Sequence, residues 1–185
     1  MKKKKVFKIS LIVFSTIGLL IAGLAVYGYL YVKKAYNTEG KQFKNYIGYI
    51  NPEEALLNSE YVLCDKENIK LTYNGAAPYA FNGTKKRFRD SILSKYNHQV
   101  YTDSGYISFR FLVNCKGEAG WFEISEMNLD LKEVNLEDKM VSELLELTSN
   151  SENWNQLGSN KGGFIDYYMY ILYRIENGKV TEILP

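Results

Sequence analysis

Between Ile9 and Val32 the chain carries no charged residue. About 24 such positions make roughly 36 Å of helix, enough to cross a hydrocarbon core of about 30 Å. Each leucine, isoleucine, valine or phenylalanine near the centre favours insertion by about 0.3 to 0.6 kcal/mol. These residues outweigh Ser10, Ser15, Thr16 and the glycines. Tyr27, Tyr29 and Tyr31 gather at the far end, where aromatic side chains prefer the membrane–water interface. The run therefore predicts a transmembrane helix over residues 9–32. A cleaved secretory leader is the alternative, with Gly23 and Ala25 as small residues for a cleavage site, but leader apolar regions run to only about 7–15 residues. No cysteine follows the run, so a lipid anchor is not expected.

Lys2 to Lys5 and Lys8 make a dense basic flank, against Lys33 and Lys34 on the other side. That bias places a tail, residues 1–8, in the cytoplasm and the bulk of the chain beyond the membrane. Gly18 and Ala22 form a weak helix-pairing signal. A length of 185 residues allows one ordinary domain besides the anchor. The formal net charge of +2 implies no pull toward nucleic acid.

Residues 33–59 read as a stalk containing Pro52 and a short helical stretch, Glu53 to Leu57. Residues 60–78 read as an accessory strand pair, Tyr61 to Cys64 and Ile69 to Tyr73, with a turn at Asn74-Gly75. Residues 79–185 carry the clearest patterns. A helix begins near Asn82-Gly83-Thr84, with Phe88, Ile92 and Tyr96 on one face. Tyr106 to Val113 alternates, with Ile107, Phe109, Phe111 and Val113 on one side, and predicts a half-buried strand. Asn114 to Gly117 turns the chain into a second strand, Gly120 to Glu126, with Phe122 and Ile124 inward.

Asn135 is the expected cap of a second helix, with Leu136, Met140, Leu144 and Leu147 as its apolar stripe. A polar loop with Trp154 ends at Gly158 to Gly163. Phe164 to Ile175 then reads as one strand, apolar on both faces and hence central in its sheet. Asn177-Gly178 predicts a tight hairpin turn into a last edge strand, Val180 to Leu184. Two helices on an antiparallel sheet make an α+β fold.

Little in this pattern points to chemistry. Cys64 and Cys115 are the only cysteines, and form either a disulfide or two free thiols. His98, the only histidine, lacks partners at ligand spacing and reads as a surface residue. No HExxH, G-x-S-x-G or Walker-type loop occurs. Hence no enzyme activity, cofactor or metal is expected. Lys85, Lys86, Arg87 and Arg89 crowd the first turns of the first soluble helix, as a contact patch or as a solvated face. Trp121 and Trp154 read as packing residues, with a ligand platform as the alternative.

Several of these pieces, taken in order, resemble one family. Phe81-Asn82-Gly83 leads a helix with Phe88 and Ile92, and Gly105-Tyr106-Ile107 opens the strand to Asn114, with Lys116-Gly117-Glu118 at its turn. Trp154 lies in the loop, Asp166-Tyr167-Tyr168 opens the long strand, and Asn177 to Val180 with Ile183-Leu184-Pro185 closes the chain. From Tyr79 to Pro185 the chain resembles the C-terminal domain of TonB-like proteins, in a membrane-anchored member of the Bacteroidetes type.

The resemblance implies a periplasmic domain tethered to the inner membrane. It also implies a protein partner in the envelope, such as an outer-membrane transporter, bound by strand addition. The candidate docking edge is Val180, Thr181, Glu182 and Ile183. The anchor has no histidine and the stalk is short and not proline-rich. Those features support the alternative of a structural or accessory envelope protein without energy coupling.

Overall fold

The computed structural model describes residues 2–35, 50–66, 68–72, 77–159 and 162–184. It separates into two compact units, residues 1–47 and 48–185. The first holds helix α1, Lys2–Ala35. Within it, Val13–Lys34 is long and apolar enough to cross a membrane, with a mean hydropathy of 1.9.

The second unit is α+β. Its elements are α2 (Ala77–Ala80), α3 (Lys85–Lys95), β1 (Gly105–Val113), β2 (Ala119–Met127), α4 (Asp138–Ser149), β3 (Leu157–Gly158), β4 (Phe164–Ile165), β5 (Tyr167–Glu176) and β6 (Lys179–Leu184). β2, β1, β5 and β6 form one four-stranded sheet in that spatial order, and β3 pairs with β4 in a separate ribbon. All pairings in the main sheet are antiparallel.

Alternation drives the packing. Ile107, Phe109, Phe111 and Val113 of β1 and Tyr167, Met169, Ile171, Tyr173 and Ile175 of β5 are buried on one face. Phe88 and Ile92 of α3 and Met140, Val141 and Leu144 of α4 close over that face. Phe81, Phe88, Phe111, Phe122 and Trp154 form an aromatic knot, with Phe111 and Phe122 stacked at 4.5 Å. The indole of Trp154 is buried and donates to the carbonyl of Thr148 at 2.9 Å, so this residue serves the core.

α3 starts where the sequence suggests. The hydroxyl of Thr84 accepts the N–H of Arg87 at 3.1 Å, and Tyr96 ends the helix. α4 starts later than expected. Its N-cap residue is Glu137 and not Asn135. Leu136 is buried ahead of the helix, with its N–H held by the Glu126 carboxylate at 2.7 Å.

The segment preceding α3 differs most from expectation. Residues 53–57 form no helix: Pro52–Glu54 makes a turn and Leu56 exchanges two backbone hydrogen bonds of 2.9 Å with Phe122. Residues 61–72, where described, form no strand pair, and Lys70 makes a single parallel bridge to Tyr167. Glu67, Tyr73 and the Asn74-Gly75 turn lie outside the described residues, as do residues 36–49 of the expected stalk. Residues 50–66 and 68–72 instead form a strap over the second sheet face. Ile50, Ala55 and Leu63 pack there with Leu112, flanked by Tyr61, Trp121 and Tyr168.

The strap covers only part of that face, so β5 is central without being sealed on both sides, and Tyr170 remains 40 % exposed. The expected strand from Phe164 is also broken at Asp166, which leaves the pairing while β4 turns to β3. The loop ahead of it loses residues 160–161 from description, and Pro185 is likewise outside it.

Candidate functional site

A sheet of this kind has two edges, and each exposes unpaired backbone groups unless something covers it. The β2 edge is covered at both ends by the chain itself. Leu56 and Leu57 receive the N–H groups of Phe122 and Trp121 near its start. Glu133 bridges Met127, and Val134 donates to the Glu126 carbonyl at 3.2 Å, near its end. Trp121 adopts a positive φ of 52° at a register shift opposite β1, a bulge that fits the strap against the strand.

The β6 edge is not covered in this way. Among the described residues, no backbone hydrogen bond leads from Lys179–Leu184 to anything but β5. Its candidate docking residues, Val180, Thr181, Glu182 and Ile183, lie consecutively along that edge. Val180 is buried and Ile183 leans on the core. Glu182 is bound on the other face by Arg174, at 3.2 Å. The Thr181 hydroxyl donates to the carbonyl of Arg174 at 3.2 Å, where the register of β5 and β6 shifts.

Beside Ile183 the surface sinks into a groove of about 220 Å³. Phe81, Phe88, Ile171 and Ile183 give it apolar walls, and Lys85, Lys86 and Arg89 of α3 rim it. Lys86 pairs with Asp90 at 3.1 Å. Lys85 and Arg89 form no ion pair among the described residues, and no acidic side chain lines the groove. α3 has no acidic residue in its first turn, so Lys85 and Lys86 sit where the helix dipole is unfavourable to cations.

Sequence reasoning found the cations and the edge separately. It missed the groove, because Ile171 and Ile183 reach it from strands about a hundred residues downstream in the chain, a separation no local pattern reports.

The cysteines lie elsewhere. Cys64 and Cys115 are joined in a disulfide, with Cα atoms 6.0 Å apart. The buried carboxylate of Asp166 accepts the N–H groups of Asp65 and Cys115, both at 2.8 Å. These two cysteines and Asp166 cluster closely enough to suggest metal ligands, but the sulfurs are already bonded to each other. The arrangement is a clamp that fixes the strap to the hairpin turn and to the start of β5. Tyr61 of the strap is packed on Gly120, its hydroxyl buried without a hydrogen-bond partner among the described residues. Burial, followed by the charge of Asp166, pushes its pKa up.

His98 is exposed in a single 3₁₀ turn, and Asn82 and Thr84 are both engaged in holding the entry to α3.

No protein-family model matches the chain, and neither a curated protein nor a solved structure matches it.

Proposed function

We propose that the chain is a membrane-anchored interaction module whose folded unit docks a protein partner by strand addition at β6. The observation that carries this reading is the asymmetry of the sheet: among the described residues, the chain covers both ends of its β2 edge and no backbone group pairs with the outer side of β6. Main-chain groups at such an edge supply affinity, and alternate side chains supply specificity. The order α3, β1, β2, α4, β5, β6 supports the TonB-like resemblance of residues 79–185, and with it a periplasmic domain, an inner-membrane anchor and an envelope partner such as an outer-membrane transporter. The Cys64–Cys115 disulfide supports an oxidising compartment beyond the cytoplasm, with the N-terminus inside. The function is binding, not catalysis.

A photo-crosslinking residue at Thr181 in intact envelopes tests the reading, with Asp130 on an exposed turn as the control position. The expected outcome is an adduct to an envelope protein from Thr181 and none from Asp130. Equal adducts, or none from Thr181, would overturn it.

A second reading, a structural or accessory envelope protein, is favoured by the packing of residues 50–59 into the folded unit. Residues 36–49 are then all that separates α1 from that unit. As covalent chain they span at most about 50 Å. Retention by purified cell-wall sacculi, with no Thr181 adduct, would select this reading.

A further inference from the structure

We infer that Cys64, Cys115 and Asp166 form a zinc site when the disulfide is reduced, so that a metal ion replaces the covalent clamp between the strap and the hairpin turn. The inference does not depend on docking at β6.

Three distant stretches of chain supply the donors. Sγ of Cys64 in the strap, Sγ of Cys115 in the β1–β2 turn and a carboxylate oxygen of Asp166 ahead of β5 all lie within 4.8 Å of one another. Zinc bonds of about 2.3 Å to sulfur and about 2.0–2.2 Å to oxygen, at tetrahedral angles, need donors about 3.5–3.8 Å apart. Freed sulfurs reach that spacing by side-chain rotation, with the Cα atoms 6.0 Å apart.

The surroundings of Asp166 favour a cation. Its carboxylate is fully buried and forms no ion pair among the described residues. Buried charges are normally paired or bound to metal. Each oxygen accepts one N–H, Oδ1 from Cys115 and Oδ2 from Asp65, both at 2.8 Å. An ionised carboxylate has about four acceptor sites, so lone pairs remain. The two N–H bonds also hold the carboxylate in place beside the sulfurs, as outer-shell partners hold metal ligands.

The donors select the metal. Two thiolates and one carboxylate suit zinc, whereas magnesium and calcium take oxygen ligands. Cys64 is exposed, which leaves a fourth position to water. Reduction requires an external dithiol. Its thiolate attacks the exposed sulfur of Cys64, the sulfur of Cys115 leaves as thiolate, and the second thiol of the reagent then displaces Cys64. The reagent ends as a disulfide, having given up two electrons and two protons. Zinc displaces both thiol protons as it binds.

The test uses the full chain in zwitterionic nanodiscs, reduced with a dithiol that is then removed without oxygen, and titrated with zinc or cobalt ions alone. One zinc per reduced chain is expected, bound at least a hundredfold tighter than by the oxidised chain. Cobalt should show thiolate-to-metal charge-transfer absorption and the visible bands of a four-coordinate ion. Amide exchange at Leu56 and Phe122, faster in the reduced metal-free chain, should slow again when zinc is added. Cys64→Ser and Cys115→Ser should each cost at least tenfold in zinc affinity, as should Asp166→Asn. An asparagine there gives up one N–H acceptor, so the fold of that variant is checked in its oxidised form. The cobalt spectrum of the unaltered chain stands independently of it.

Equal zinc binding by the reduced and oxidised chains would overturn the inference. So would one metal shared between two chains, cobalt bound without thiolate absorption, unchanged affinity in a folded Asp166→Asn variant, or zinc bound without slower exchange at Leu56 and Phe122.

Discussion

Asn177 and Gly178 both have positive φ, 51° and 72°, and together make the turn from β5 to β6. The turn is seated against the rest of the unit. Gly178 donates its N–H to the Asp103 carbonyl at 2.8 Å, and its own carbonyl accepts from the Tyr96 hydroxyl at 2.8 Å. A Cβ at Gly178 would run into the carbonyl of Tyr101. Gly178→Ala should therefore cost about 2 kcal/mol, measured by urea unfolding, because the left-handed backbone alone disfavours a side chain by about 1–2 kcal/mol. Nearby, Glu137 accepts the N–H groups of Thr102 at 2.7 Å and Asp103 at 3.1 Å. The bond from Thr102 is the main reason its pKa lies below the ordinary 4.5. Folding thus favours the ionised form. Its contribution is complete above the ordinary value and disappears as pH falls through the lowered one. Glu137→Gln should lower stability at neutral pH and flatten the acid limb, read from urea midpoints taken across the acid range.

Among elements, the strap is the one whose loss should be most visible. The disulfide closes a separation of 51 residues, which in the chain-entropy model is worth about 4 kcal/mol. Replacing both cysteines by serine should lower stability by about 2–4 kcal/mol and speed amide exchange at Leu56 and Phe122, while β1 and β5 stay protected. Hydrogen exchange with mass spectrometry separates those outcomes. The same contrast explains what the sequence made legible. β1 was readable because Ile107, Phe109, Phe111 and Val113 alternate with half-buried residues, and α3 because Phe88, Ile92 and Tyr96 fall on one face. The strap was not, since Tyr61 to Cys64 has strand-like composition yet, among the described residues, its backbone joins no strand pairing. Leu63 is instead buried beneath the sheet. Asp166 broke an apparently continuous strand for a similar reason: its carboxylate serves Asp65 and Cys115, about a hundred and about fifty residues away, and no local pattern records that. The start of α4 shifted because the N–H groups of Leu136 and Glu137 donate to the carboxylates of Glu126 and Asp103, which holds both residues ahead of the helix. The candidate docking edge could be named from the end of the chain, but the covering of the opposite edge, where Leu56 and Leu57 meet β2, is recorded in no local pattern.

At the scale of the whole molecule, a candidate membrane helix and a folded unit are joined by residues 36–49. Lengthening that stretch with a flexible insert should leave the unfolding midpoint of the second unit unchanged, because the two units are separately compact. If the edge-docking proposal holds, the yield of Thr181 adducts should respond to the insert, as the effective concentration of the two partners depends on the tether. The uneven treatment of the two sheet margins also sets a valency. On the edge-docking proposal, a protein that offers one vacancy, and has stoppered the other with its own polypeptide, saturates at one guest per chain. Head-to-tail stacking would need both margins free, so on the same proposal such growth ends at a pair.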